Sequence, residues 1–417
     1  MMLGAHPLLL GLLRGSQPAP LLLVADGALQ ASAAYARASA ATGFGASGTL
    51  FEAAANAPRF VHAAQALLIE RAAQNLCANP RFQGGTAGTI GSGGVVPSDM
   101  EMTGNTGVTR HVVGFGTEDG IPYADFRWAG TQGNTSINVL GFNTSGGWTC
   151  SVGQVFALSL CVRLVGGSLA NVNNIRFRVV ERNGSTQSST SPKTVFVPDG
   201  SALRGQRRVE THTIASPSTN NARLQLTFSP VANQPFDLTL RVGLPQVEAG
   251  SVATSAILPP AGSPGVASRA AGSLLHAPAG SLPAAATVLL DALLPAAAGA
   301  ERELLAAETA DGAAGLAIQA TAGAAQLRVL PFPSGSAVTA GGIAAGARFR
   351  AALAWDGSGF AVSLNGAAAV SSAAAPAALA RLRHGGAASA EALEIRRLEL
   401  HPARLPDAAL AALSSIP

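Results

Sequence analysis

Apolar and polar residues alternate with period two through most of the chain beyond residue 75. In YADFRWAG, Ala124, Phe126 and Trp128 oppose Tyr123, Asp125 and Arg127. In FALSLCVRLV, Phe156, Leu158, Leu160 and Val162 oppose Ser159, Cys161 and Arg163. NIRFRVV sets Ile175, Phe177 and Val179 against Arg176 and Arg178, and RLQLTFS and FDLTLRV repeat the pattern. Alternation of this length predicts strands with one face on a core and one in water. The polar clusters between them (GTEDG, NTSGG, ERNGS, SPSTNN) are turn formers spaced as in a sandwich. Residues 75–258 therefore read as one β-sandwich.

A Pro/Gly-rich stretch, 259–275, follows. Pro259, Pro260 and Pro264 each fix φ and lack a backbone donor, so a central strand is excluded there and a hinge is predicted. Beyond it, 276–417 reads as a second β unit, although its alanine content alone favours helix. TVLLDALLP, AGLAIQAT, AQLRVLPF, RFRAALAWD and ALEIRRLELH are strand-length runs. Asp356-Gly357 supplies a hairpin turn in WDGSGFAVSLNG, and Pro406 opens a short terminal helix in RLPDAALAALSS. At the other end, residues 1–45 show neither period and are interrupted by Pro18 and Pro20, which predicts a docking segment and not a folded domain. Residues 46–74 form a lead-in. The expected class is all-β, with β-sandwiches of jelly-roll type in tandem behind that segment.

Four stretches resemble known families. The run Arg241 to Gly272 is similar to a junction that recurs in phage tail-fibre and head-spike proteins, through Gln246, Glu248, Gly250, Ala253, Thr254, Ser255, Ile257 and Arg269-Ala270-Ala271. The lead-in resembles a segment of the same fibres through Asn56, Pro58, Arg59, Phe60, His62, Leu67 to Glu70, Ala73, Asn75 and Leu76; it departs at Ala63 to Ala66 and at Gln74. Residues 75–258 resemble the carbohydrate-binding-module-like jelly roll of such fibres. Trp355, Asp356, Gly357, Phe360, Asn365 and Gly366 resemble a hairpin of laminin-G or concanavalin-like sandwiches, with Ser363-Leu364 where an aromatic often stands.

The resemblance implies a virion protein on the outside of a tailed phage or gene-transfer particle. Its N-terminus would join other virion proteins, its sandwiches would bind host surface glycan, and it would be a homotrimer. A secreted carbohydrate-binding adhesin is the alternative, raised by the signal-like start. A particle-bound polysaccharide depolymerase is a third reading.

Composition narrows the chemistry. Charged residues are 12% and aromatics 5% of the 417 residues, with Gly 48 and Pro 25. Hydrophobic residues at 48% exclude a disordered chain. The net charge of +4 comes from arginine, since Lys193 is the only lysine, and no basic run points to nucleic acid. No apolar run is long enough to span a membrane. Cys77, Cys150 and Cys161 lack zinc-ligand spacing and read as buried thiols, although Cys150 and Cys161 could face each other across a hairpin.

No catalytic constellation is present: the histidines are scattered, and Glu301 and Glu303, which share a strand face beside Arg302, read as a solvated edge. No cofactor or metal is expected. Calcium has candidate oxygens at Thr117-Glu118-Asp119, Asp99 and Glu101, but these lack ordered ligand spacing and read as solvated turn acids. The candidate site is carbohydrate-binding: Tyr123, Asp125, Arg127, Arg176 and Arg178, all predicted to point away from the core, with Arg163, Arg223, Gln225, Thr239 and Arg241 beside them. Arginine and aspartate hydrogen-bond sugar hydroxyls, arginine pairs with acid groups, and a tyrosine ring can stack on a sugar.

Overall fold

A computed structural model of the chain describes residues 19–296, 300–322, 326–385 and 392–417. The fold is all-β, built from antiparallel sheets in sandwiches. Two compact units divide it, and neither is a continuous segment. The central unit holds 37–57 and 72–271. The C-terminal unit holds 58–71, 272–417 and the described part of 1–36.

In the central unit a front sheet runs in the order Gly93–Gly94, Gly88–Ile90, Val108–Glu118, Ile121–Thr131, Pro235–Ala249, Val155–Gly167, Arg207–Thr213. A back sheet runs Met100–Thr103, Asn138–Phe142, Asn221–Pro230, Val172–Asn183, Thr186–Val195. The residues read as inward from the alternation meet between them. Phe126, Trp128, Leu158, Leu160, Phe177, Val179, Leu224, Phe228, Leu238 and Leu240 share one buried cluster. Aromatic edges lock it, with Trp128 and Phe228 centroids 5.3 Å apart at 82°. Trp128 also donates from Nε1 to the Thr103 carbonyl at 2.9 Å. Trp148 belongs to the same core, packed on Phe156.

The C-terminal unit encloses a second core between two further sheets. Leu290, Leu305, Ile318, Leu353, Trp355 and Phe360 are all buried in it. The predicted hairpin is present: Arg348–Asp356 pairs with Gly359–Leu364, and Asp356 Oδ1 closes the turn by accepting from the Ser358 N–H at 2.8 Å. A helix spans Asp407–Ser414 directly after Pro406.

The expected boundaries need correction. The described part of the N-terminal segment is folded. Leu21–Ala25 pairs with Ala392–His401, Ala34–Ala36 pairs with Ser273–His276, and Leu23 and Val24 lie in the C-terminal core. Five-residue and three-residue strands are too short to show a period, so their partners far along the chain were invisible. The first 18 residues lie outside the described ones. The lead-in is shared: Ala41–Phe44 and Leu50–Ala53 form a hairpin of the central unit, whereas Phe60–Val61 and Ala66–Glu70 belong to the C-terminal unit. The hinge is also partly strand. Its prolines stay outside strands, but Ala267–Arg269 pairs with Ala73–Asn75.

Candidate functional site

The front face presents Tyr123, Asp125 and Arg127, as the alternation predicts. Strand register sets Asp125 opposite Arg241 and Arg127 opposite Thr239. Arg241 donates two hydrogen bonds to Asp125, both at 2.9 Å, and a third to Glu118 at 2.8 Å. Arg163 donates to the other Glu118 oxygen at 2.7 Å. Arg127 makes a bidentate pair with Asp237 at 2.8 and 2.7 Å. These bonds raise the pKa of Arg127 and Arg241. Burial pushes the Glu118 carboxyl up, but the Leu203 N–H and the two guanidinium groups outweigh it and hold the group below the usual range. The Arg241 guanidinium also lies over the Tyr123 ring, 3.6 Å from its centroid. One face of that ring is therefore already covered, which the sequence reading of a free stacking platform did not foresee. At Gly114, opposite Asp125, a β-carbon would meet no atom within 4 Å, so the sheet is open there.

Arg176 and Arg178 are not part of this cluster. They lie on the back sheet, facing outward on the far side of the shared core from Tyr123, Asp125 and Arg127. Period-two alternation says that a residue faces outward; it does not say from which sheet. Arg178 Nε donates to Gln225 Oε1 at 2.8 Å, and Gln225 Nε2 donates to Glu101 at 3.3 Å. Burial lowers the pKa of Arg178, against the pull of Glu101 and with a further push from Arg176. Arg223 bonds the Thr144 carbonyl, and Arg182 bonds carbonyls of its own turn. Asp237 and Arg182 were missed by the sequence reading, and Glu101 entered it only as a calcium candidate. Strand pairing alone brings them beside the predicted residues.

Part of the outward front face is not solvent-facing. Ser159 and Cys161 are buried, the latter with Leu50, Ile121, Leu203, Leu244 and Ala256. The short turn Leu203–Gly205 and the hairpin at 41–53 supply this cover. Cys150 sits in the other cluster, between the sheets, so the two thiols do not face each other; all three cysteines are free and buried.

The residues that carry the fibre resemblance form a buried network within the central unit. Gln246 Nε2 donates to Glu248 Oε1 at 2.6 Å; that oxygen accepts the Thr254 N–H at 2.8 Å, and Glu248 Oε2 accepts the Thr254 hydroxyl at 2.6 Å. Gln246 Oε1 accepts the Ile257 N–H, and Arg269 donates to Ser255 Oγ at 2.9 Å. Asn75 fastens the entry to this run, with Nδ2 donating to the Pro245 and Ile257 carbonyls at 3.1 Å. In the C-terminal unit, Arg59 and Glu70 of the lead-in form a buried ion pair at 2.8 Å. Gln246, Glu248 and Asn75 thus satisfy backbone groups of the irregular run after Ala249, where no ladder can.

The calcium candidates are engaged elsewhere. Glu118 is held as above, Asp119 pairs with Arg204 at 3.1 Å, and Asp99 accepts the Ser145 N–H at 2.7 Å. Among the described residues no group of three or more His, Cys, Asp and Glu could hold a metal ion, and no helix is long and apolar enough to cross a membrane. Glu303 is buried and not a solvated edge, because a bulge turns it and Glu308 to one face, where Arg383 binds both.

No family model matches the chain, and no curated protein matches it. Solved structures with likeness include a Trypanosoma rangeli sialidase in complex with 2,3-difluorosialic acid, at 17% identity and TM-score 0.26. That match covers 31% of this chain and 22% of the sialidase, so the chain spans under a quarter of it. The CBM40 of the Ruminococcus gnavus IT-sialidase, bound to alpha2,6 sialyllactose, matches at 16% identity and TM-score 0.27, covering 32% of this chain and 85% of that one. A CBM4 structure matches at 11% identity and TM-score 0.20, covering 34% and 78%.

Proposed function

We propose that this protein is a receptor-binding fibre or spike of a tailed phage or phage-like gene-transfer particle, attaching to host cell-surface polysaccharide. In this reading it is a homotrimer on the outside of the virion, joined to other virion proteins through its N-terminus. It binds without cofactor and without catalysis. The observation that carries the binding role is the chemistry of the central unit's outer sheet faces. Guanidinium, carboxylate, amide and hydroxyl groups stand there in register on adjacent strands over a shared core; Arg127, Asp237, Arg176 and Arg178 reach solvent, and Asp125, Gln225, Thr227 and Thr239 are buried among them. Such flat polar arrays can exchange hydrogen bonds with the many hydroxyls of a saccharide chain. Repetition in a trimer would multiply weak contacts. The motif residues support the particle assignment only through resemblance, since their own role is structural.

Two measurements test this. The purified full-length chain on an array of bacterial polysaccharides should be retained on a subset of spots, and periodate oxidation of those spots should abolish retention. Binding to no spot would overturn the attachment role. Labelling of this chain on intact particles should mark their exterior; its absence from particles would leave the secreted adhesin as the better reading.

A further inference from the structure

The front and back faces of the central sandwich differ in how their guanidinium groups are used. On the front face, Arg127, Arg163 and Arg241 each meet a carboxylate at 2.7 to 2.9 Å. An anion binding there would have to displace an acid already held by the fold. On the back face, Arg176, Arg178, Arg182 and Arg223 form no ion pair among the described residues. The facing carboxylates are Glu101, bonded to Gln225, and Asp99, whose side chain is bonded to Ser145 at the loop.

Register orders these arginines. The strand Val172–Asn183 aligns with Asn221–Pro230 so that Arg176 pairs with Thr227, Arg178 with Gln225, Val180 with Arg223 and Arg182 with Asn221. Successive outward positions on a strand are about 7 Å apart. Each step along the strand axis therefore carries one arginine: Arg176, Arg178, Arg223 from the neighbouring strand, then Arg182. The ladder spans about 20 Å from end to end.

We infer that this back-face arginine ladder, and not the Tyr123/Asp125/Arg127 face, binds an acidic polysaccharide, taking the acid groups of successive sugar units. The inference rests on the glycan-binding reading above and names its ligand class and face. Guanidinium groups hold carboxylates and sulfates bidentately, and here their donors are not spent on protein acids. Gln225 and Thr227 lie buried beneath the ladder and hold it in place, Gln225 accepting from Arg178 and Thr227 donating to the Arg176 carbonyl. A nucleic acid fits less well, because among the described residues the outward row offers no aromatic platform for bases.

The test uses the full-length chain with polygalacturonate, neutral dextran and a single-stranded oligonucleotide as probes. Polygalacturonate should bind, more weakly as salt rises. Arg176→Gln with Arg178→Gln should weaken it about tenfold or more per guanidinium, with an unchanged melting curve. Arg328→Gln with Arg404→Gln, the same charge change in the C-terminal unit, should bind as the parent does. Gly114→Trp, which fills open space on the front face, should also leave binding intact. Loss of binding in Gly114→Trp with retention in the back-face variant would overturn the choice of face. Binding to dextran but not polygalacturonate would overturn the acidic class while leaving the glycan role standing. Equal, ladder-dependent binding of the oligonucleotide would overturn the saccharide as occupant, and no binding to any probe would overturn the inference together with the reading beneath it.

Discussion

Replacing Glu181 with alanine should destabilise the central unit by about 3 kcal/mol. Glu181 is 1% exposed and accepts four hydrogen bonds: from His212 Nε2 at 2.9 Å, the Ala215 N–H at 3.0 Å, the Ser216 N–H at 2.8 Å and the Thr219 hydroxyl at 3.0 Å. Lys193 stands on the other side of the ring, with Nζ 3.0 Å from His212 Nδ1. An ammonium group only donates, so Nδ1 accepts and Nε2 carries the proton given to Glu181. Without the carboxylate, Ala215 and Ser216 lie near enough to the surface for water to serve their amides. His212 and Thr219 are buried and would be left unpaired. An orphaned buried donor costs about 1–3 kcal/mol, so two give roughly 2–6, reduced where the hydroxyl rotates to a new partner. The assay is urea denaturation followed by circular dichroism at pH 7. A pH series adds a second readout. Burial pushes the Glu181 carboxyl up, but its amide, hydroxyl and imidazole donors outweigh this and hold it below the usual range. The stability it contributes is therefore complete above the unfolded value near 4.3 and is lost as pH falls through the folded value. The alanine variant should show a shallower acid slope. A loss under about 0.5 kcal/mol with an unchanged slope would refute the network's role.

Two further outcomes check the strand facing and the thiols. Phe126→Ala should cost about 3–5 kcal/mol, because the ring is fully buried 6.3 Å from Phe82 and 6.4 Å from Trp128, whereas Arg127→Ala should stay within about 1 kcal/mol, its ion pair being over 40% exposed; the reverse order in thermal melts would mean the strand is inside out. Burial pushes Cys150 and Cys161 up to about 11 and Cys77 higher still, so a thiol reagent at pH 8 should report no reactive group until denaturant is added, and rapid labelling of the native chain would contradict the packing.

The core of the central sandwich was legible because each of its long strands repeats its facing many times. Ten or more residues in Ile121–Thr131, Val155–Gly167 and Val172–Asn183 leave little doubt about period. The same rule failed for Leu21–Ala25 and Ala34–Ala36, whose brevity hides any period. It also failed for Glu303, where a bulge resets the alternation between Glu303 and Leu305. Domain edges were misread for a related reason. A boundary drawn along the chain cannot show that 58–71 leaves the central unit for a sheet whose other strands lie at 21–29 and beyond residue 272.

The candidate site divides along the same line. The sequence by itself determined that Tyr123, Asp125, Arg127, Arg176 and Arg178 face outward, because side-chain direction along a strand is a local property of the pleat. It also determined which residue types could meet a sugar. Only the tertiary structure decided that the first three lie on one sheet and the last two on the other, that Arg241 covers Tyr123, and that Asp237 and Glu118 neutralise the front face. Those facts depend on strand order and register, which are fixed by pairings between residues distant in sequence, such as Asp125 with Arg241 and Arg176 with Thr227. The physical reason is that period two is written into each strand separately, whereas the charge of a face is a sum over neighbouring strands.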